Sequence, residues 1–344
     1  MAHLDLEIKR IELSPLRNSI KHYLKRVQEI EAYLNKRPKE WGRFQAEFNK
    51  ELDGIFRNIM NFEMVNLTNG NEEKVYKLKH LFIKRFRSIF ARGDYCDWSI
   101  RKPFGYAGDF KILEDIYENN PKTDGFDRLF DNYFQMSAIS VAVRNRKEDF
   151  KRLITNFIEM RMGCVLRIMN LGSGSCRELR EILYLNKSLW KNVTFDCYDN
   201  DERAIKYAKD LLFKHRNVNF FKENAVRIAL KKDISSMIDK KYDMIYSMGL
   251  FDYFTERVAV ALIRNLRNLL KSDGILAISN VRDKYSNPSV HFMEWGGDWN
   301  LVYRDDDTFK MIFIEAGFQE DEIEVQYEQQ GIMQYIIASN KKEE

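Results

Sequence analysis

Two short groups of residues in this 344-residue chain have the types and spacing to hold a small ligand. Gly172-Ser173-Gly174-Ser175 interrupts an apolar run, Leu166 to Leu171, and a helical stretch with Leu179, Ile182 and Leu183 on one face follows it. Glycines at such a break let backbone lie close against a ligand. The first turn of the following helix offers N–H donors with no intrahelical partner. A second run, Val193 to Tyr198, alternates and ends on Asp199. A carboxylate in that position can accept hydrogen bonds from the hydroxyls of a ribose. Strand, glycine turn, helix, strand and terminal acid together predict the first half of a nucleotide-binding α/β unit.

The dinucleotide fingerprint needs a third glycine or alanine, and here that position is Arg177. An arginine there obstructs the close helix–strand packing that the fingerprint exploits. No Gly-Lys-Ser/Thr follows, so a phosphate-binding P-loop is absent too. A pyrophosphate ligand is disfavoured. S-adenosylmethionine (SAM) carries no phosphate and needs room over a glycine loop, an acid for the ribose, and a polar group with apolar walls for adenine. Gly172, Ser173 and Gly174, then Asp199 and Asn200, Asn224 and Ala225, and Ser247, Met248 and Gly249 occur in the strand order such a ligand requires. They are the expected cofactor contacts, and no metal site is expected.

The elements that must position these residues follow from periodicity. Residues 1 to about 160 read as amphipathic helices, with Ser14-Pro15 shaped as a helix start and a basic helix from Val75 to Arg92. Its basic face suits solvent or an acidic carrier or membrane surface. From Leu166 strands alternate with helices: Leu166 to Leu171, Val193 to Asp199, Val218 to Phe221, Tyr242 to Ser247 and Ile275 to Val281, closed by a hairpin of Ile323 to Tyr327 and Ile332 to Ser339. Such alternation demands a mostly parallel sheet with helices on both faces. The fold class is therefore α/β, a Rossmann-like sheet with an antiparallel terminal hairpin behind an all-helical N-terminal domain. The expected domains are residues 1–160, a substrate cap, and residues 161–344.

Composition narrows the class. The chain is 44% hydrophobic and 31% charged, with net charge +4, which gives no independent case for nucleic acid. Cys96, Cys164, Cys176 and Cys197 lack CxxC spacing, and a reduced protein suits them better than a disulfide framework. The charged N-terminus has no apolar core of a secretory signal, and no run approaches the ~20 apolar residues of a membrane span. A cytoplasmic protein is expected, and a homodimer is compatible.

Residues from about Leu166 to Ser339 resemble a class I SAM-dependent methyltransferase, with four motifs in order. A narrower likeness rests on KPFGYAGDF, VRNR, LGSGSCREL, GLFDYF and DWNLVYR. These segments resemble a bacterial family assigned to biosynthesis of the extracellular factor 3-hydroxypalmitic acid methyl ester. The resemblance implies transfer of methyl to a carboxylate or hydroxyl of a small or fatty-acyl substrate, with a loop around Tyr106 and Asp109 entering the site. Asp109 also reads as the N-cap of the next helix.

A carboxylate acceptor is ionised at neutral pH, so it needs a cation and an apolar channel and no base. Arg144, Arg146 and Arg304 are the candidate cations. Phe251, Tyr253, Phe254, Trp295, Trp299 and Tyr303 are the candidate walls. His291 would act as a base only for an amine, phenol or hydroxyl. His3, His22, His80 and His215 read as surface residues. Two alternatives stand beside this reading: N-methylation of a small amine, and a non-catalytic SAM-binding partner module.

Overall fold

A computed structural model describes residues 14–185 and 190–341. The expectations for the first 13 residues, His3 included, lie outside them. Two compact units form. Among the described residues, one comprises the chain up to Gly108, Glu118–Val141 and Asn287–Asn300; the other comprises Asp109–Tyr117, the chain from Ala142 to Ser286 and that from Leu301 onward.

The first unit is helical. Its main helices are α1 (Ser14–Leu34), α2 (Gln45–Thr68), α3 (Glu72–Leu81) and α4 (Asp94–Arg101). Pro38 opens a separate 3-10 turn, Pro38–Arg43, because its missing N–H suits only the first turn of a helix. The basic helix is not continuous: a π-turn, Phe82–Phe86, follows α3. An aromatic core of Tyr23, Phe48, Phe56, Phe82, Phe90 and Phe130 holds this unit. Phe292, from a distant stretch of chain, joins that core, 5.5 Å from the Phe56 ring and 4.8 Å from Tyr133.

Four further helices precede or flank the first strands: α5 (Phe110–Glu118), α6 (Gly125–Met136), α7 (Ala138–Glu159) and, after β1 (Leu166–Leu171), α8 (Arg177–Leu185). The sheet continues with β2 (Val193–Asp199), β3 (Val218–Lys222), β4 (Tyr242–Ser247), β5 (Leu270–Val281), β6 (Ile323–Tyr327) and β7 (Met333–Ser339). Helices α9 (Glu202–Leu212), α10 (Ala225–Leu230), α11 (Glu256–Leu269) and α12 (Asp306–Glu315) connect them. The strand order is β3-β2-β1-β4-β5-β7-β6. The β1 to β5 pairings are parallel, and β7 runs antiparallel to both β5 and β6. Order reverses between β1 and β4, so a crevice opens at the carboxyl ends of those strands.

The fold class is as expected. The compact units do not follow the boundary placed at residue 160. The apolar side of α5 and most of α7 pack with the sheet, while Asn287–Asn300 packs with the helices. Strand β5 also begins earlier than the expected Ile275, at Leu270.

Candidate functional site

The crevice is assembled by backbone contacts between strand ends. Gly172 holds φ +68°, and a Cβ there would stand 3.2 Å from Leu250 Cβ, so only glycine fits without displacement. The Gly172 and Ser173 amides donate to the Tyr198 carbonyl at 2.8 and 3.1 Å. The Gly174 amide donates to Asp199 Oδ2 at 2.7 Å, and the Asp201 amide donates to Oδ1 at 2.8 Å. The carboxylate keeps lone-pair capacity for a ligand hydroxyl beside these amides. Burial raises the Asp199 pKa, and backbone donors from Asp201, Gly174 and Asn200 oppose it.

The other strand ends close around this loop. Asn224 Oδ1 accepts from the Val226 amide at 2.8 Å, which caps α10, and its Nδ2 lies 3.5 Å from Asn200 Oδ1. Ser247 Oγ donates to the Leu171 carbonyl at 2.7 Å and pins the end of β4 to β1. Ser279 Oγ donates to the Met248 carbonyl at 2.5 Å, which fixes the turn into Gly249.

Two glutamates brace the loop from below and from the side. Glu178 is buried at the start of α8, where Asn170 Nδ2 and Tyr246 Oη each donate to it at 2.8 Å. Burial pushes its carboxyl up to about 7. Glu114 of α5 is buried too and accepts from Ser175 Oγ at 2.5 Å, Arg180 Nη2 at 2.8 Å, and Arg177 Nη1 and Tyr207 Oη at 3.2 Å. Arg177, which spoiled the dinucleotide fingerprint, is therefore part of the network that holds this loop. A glutamate on the apolar side of a predicted helix was the available signal for both acids: Glu114 lies four residues after Phe110, and Glu178 four before Ile182.

Residues 169–276 match the family described as methyltransferase domain. The match lies within the sheet unit, from β1 into β5. Among solved structures, a possible exported protein from Bordetella parapertussis is 16% identical, with a TM-score of 0.55 over 68% of this chain and 80% of that one. The citrinin polyketide synthase CMeT domain is 15% identical, TM-score 0.46, over 68% of each chain. A magnesium protoporphyrin IX methyltransferase from Synechocystis, with bound demethylated cofactor (SAH), is 12% identical, TM-score 0.46, over 72% of this chain and all of its own. At 16% identity the likeness to the first of these concerns the fold alone. No curated protein matches the chain. The methyltransferase fold suits the geometry above, because the Gly172 cradle and the Asp199 carboxylate fit a ribosyl ligand without a phosphate.

The structure redistributes the residues expected to serve the methyl acceptor. Asp109 Oδ1 accepts from the Lys111 and Ile112 amides at 2.9 and 3.0 Å. It is the buried N-cap of α5, and the catalytic expectation gives way to that role. Tyr106 lies in the helical unit and is 41% exposed. His291, expected on an open loop, is 1% exposed in the helical unit, with Nε2 3.2 Å from Glu63 Oε2. Trp295 and Trp299 are buried in that same unit, and Trp295 packs on Phe82 at 5.7 Å. Large rings enter the nearest apolar core, and here that core belongs to the helices. Phe251 is fully buried in the core of the sheet unit rather than lining a channel.

Arg304 is structural as well. It donates to the Phe251 carbonyl at 3.0 Å, and also to Asn280 Oδ1 and the Phe254 carbonyl, so it ties a turn to β5. Arg144 is half-buried and reaches the Ile116 carbonyl at 3.4 Å, and burial lowers its pKa. Tyr253 is 40% exposed and Tyr303 half-buried.

Arg146 differs in its partner, a carboxylate rather than backbone carbonyls. It is buried on α7, with Nη1 3.4 Å from Asp252 Oδ2 and Nε without a hydrogen-bond acceptor. A Cβ on Gly249 would stand 3.0 Å from its Nη2, so the glycine makes room for the guanidinium at the end of β4. Tyr117 is its neighbour: burial pushes that phenol up to about 12, and the Arg146 charge opposes the shift.

Among the described residues no helix is long and apolar enough to cross a membrane, and no group of His, Cys, Asp and Glu could hold a metal ion. The four cysteines are free.

Proposed function

We propose that this methyltransferase methylates an oxygen of a small or fatty-acyl substrate, with a carboxylate as the preferred acceptor. The observation that carries this reading is Arg146. A buried guanidinium with an unpartnered Nε, loosely paired to Asp252, has capacity to receive a further anion. It lies at Gly249, at the carboxyl end of β4, where a ligand of this fold binds. The likeness of KPFGYAGDF, VRNR and GLFDYF to the fatty-acid methyl ester family favours the same class of acceptor.

When bound, SAM would supply an electrophilic methyl carbon to an acceptor oxygen and leave as SAH. Arg146 would hold the carboxylate so that one oxygen points at the methyl. The residues of the crevice position both partners and exclude water. No proton is moved, because the carboxylate is already ionised. Asp199 and Asn200 would hold the ribose, Gly172 to Gly174 the methionine end, Asn224 and Ala225 the adenine, and Ser247 to Gly249 the floor next to the methyl. We infer a cytoplasmic location for the protein as well.

The test is incorporation of labelled methyl into separate pools of long-chain fatty acids, 3-hydroxy fatty acids, phenols and amines. A carboxylate product is an ester, and mild alkali releases its label as methanol. Arg146→Gln should raise the acceptor KM about tenfold, the equivalent of one charge-assisted hydrogen bond. Alkali-stable label, or an unchanged acceptor KM in Arg146→Gln, would sink the carboxylate reading.

A further inference from the structure

We infer that helix α5 is a strap that holds the donor loop in its binding shape, with Glu114 as the positioning residue. The inference rests on the reading of Gly172–Asp199 as the donor site. The chain itself suggests the role: Asp109–Tyr117 belongs to the sheet unit, while the segments on either side, ending at Gly108 and resuming at Glu118, belong to the helical unit. A nine-residue helix is too short to be stable alone, so its contacts must hold it.

Those contacts fall on the donor loop. Phe110 and Glu114 are one turn apart and so share a face. Phe110 Cβ is 3.9 Å from where a Cβ on Gly174 would stand, and its ring centroid is 5.3 Å from that of Tyr207. Glu114 takes the hydroxyl of the next residue, Ser175, at 2.5 Å. Two arginines, Arg177 and Arg180, offset the cost of burying its charge. The loop is therefore gripped by two carboxylates: Asp199 through the Gly174 amide, and Glu114 through Ser175 Oγ. Asp109 fixes where the helix starts, so it sets which face meets the loop. Releasing Glu114 leaves Ser175 and the first turn of α8 without their outer support, and the donor must then order the loop as it binds.

Glu114 touches no reacting atom, so its loss should move donor affinity and leave the chemical step alone. In the full-length protein, Glu114→Gln should raise the SAH Kd and the SAM KM about tenfold, with kcat within about twofold. Ser175→Ala should act in the same direction with a smaller effect, and it carries the test if Glu114→Gln does not fold. Calorimetry with SAH and initial rates at varied SAM read these values, and urea unfolding of the ligand-free protein reads stability. A kcat loss at constant SAM KM would overturn the inference, as would a stability loss at unchanged SAH affinity. Wild-type protein that binds no SAH would overturn the donor reading itself. Wild type that binds SAH, with Glu114→Gln and Ser175→Ala binding equally well, would overturn only the strap.

Discussion

Replacing Glu178 with glutamine gives a prediction whose size follows from the structure. Burial raises this carboxyl from its ordinary value of 4.5 to about 7. The folded state therefore binds the proton more tightly than the unfolded chain. Its favourable contribution is complete below pH 4.5 and is lost as pH rises towards about 7. The gap between those values corresponds to about 3 kcal/mol, with no discount for solvent because Glu178 is buried. Glutamine keeps the carbonyl oxygen that accepts from Asn170 and Tyr246 and cannot ionise. Urea unfolding of wild type and Glu178→Gln at pH about 5 and about 8 isolates this group, because every other titration is common to both proteins. The variant should gain about 2.5 kcal/mol over wild type between the two conditions, since part of the contribution is already lost at pH about 5. Parallel pH profiles would refute the reasoning and mean that Glu178 titrates near its ordinary value in the fold.

Two further substitutions separate backbone shape from capping. Gly172→Ala combines a left-handed φ with a Cβ 3.2 Å from Leu250, so SAH affinity should fall at least about tenfold, read by calorimetry. Asp109→Ala removes the cap of α5 and should cost about 1 to 2 kcal/mol by chemical unfolding. If Asp109 also touched the acceptor, kcat would fall by orders of magnitude in folded protein.

The donor half of the site was open to reading because its signals are local. Buried parallel strands such as Leu166–Leu171 and Tyr242–Ser247 are near-continuous apolar runs, and the loops at their ends stand out by contrast. Gly172 and Asp199 advertise themselves through a backbone requirement and a position at a strand end. The acceptor half has no such local signature. Trp295 and His291 look the same in a sequence whether they line a channel or fill a core, and Phe82 and Glu63, far away in the chain, decide the matter. Glu114 escaped notice for a related reason. Its partners Ser175, Arg177, Arg180 and Tyr207 are more than sixty residues distant, and only the folded chain brings them to one carboxylate. The three arginines were indistinguishable by type. Their surroundings separate Arg304, whose two terminal nitrogens meet the Phe251 and Phe254 carbonyls, from Arg146, which faces the Asp252 carboxylate at 3.4 Å.

The central claim is that the loop Gly172–Ser175 and the carboxylate of Asp199 form the donor site. Calorimetric titration of SAH into wild type and Asp199→Ala tests it most directly. Loss of two charge-assisted hydrogen bonds to the ribose should weaken binding on the order of 2 to 3 kcal/mol, a factor of roughly 30 to 150. Equal affinity in the two proteins, with both folded, would contradict the assignment of Asp199 and of the crevice built around it.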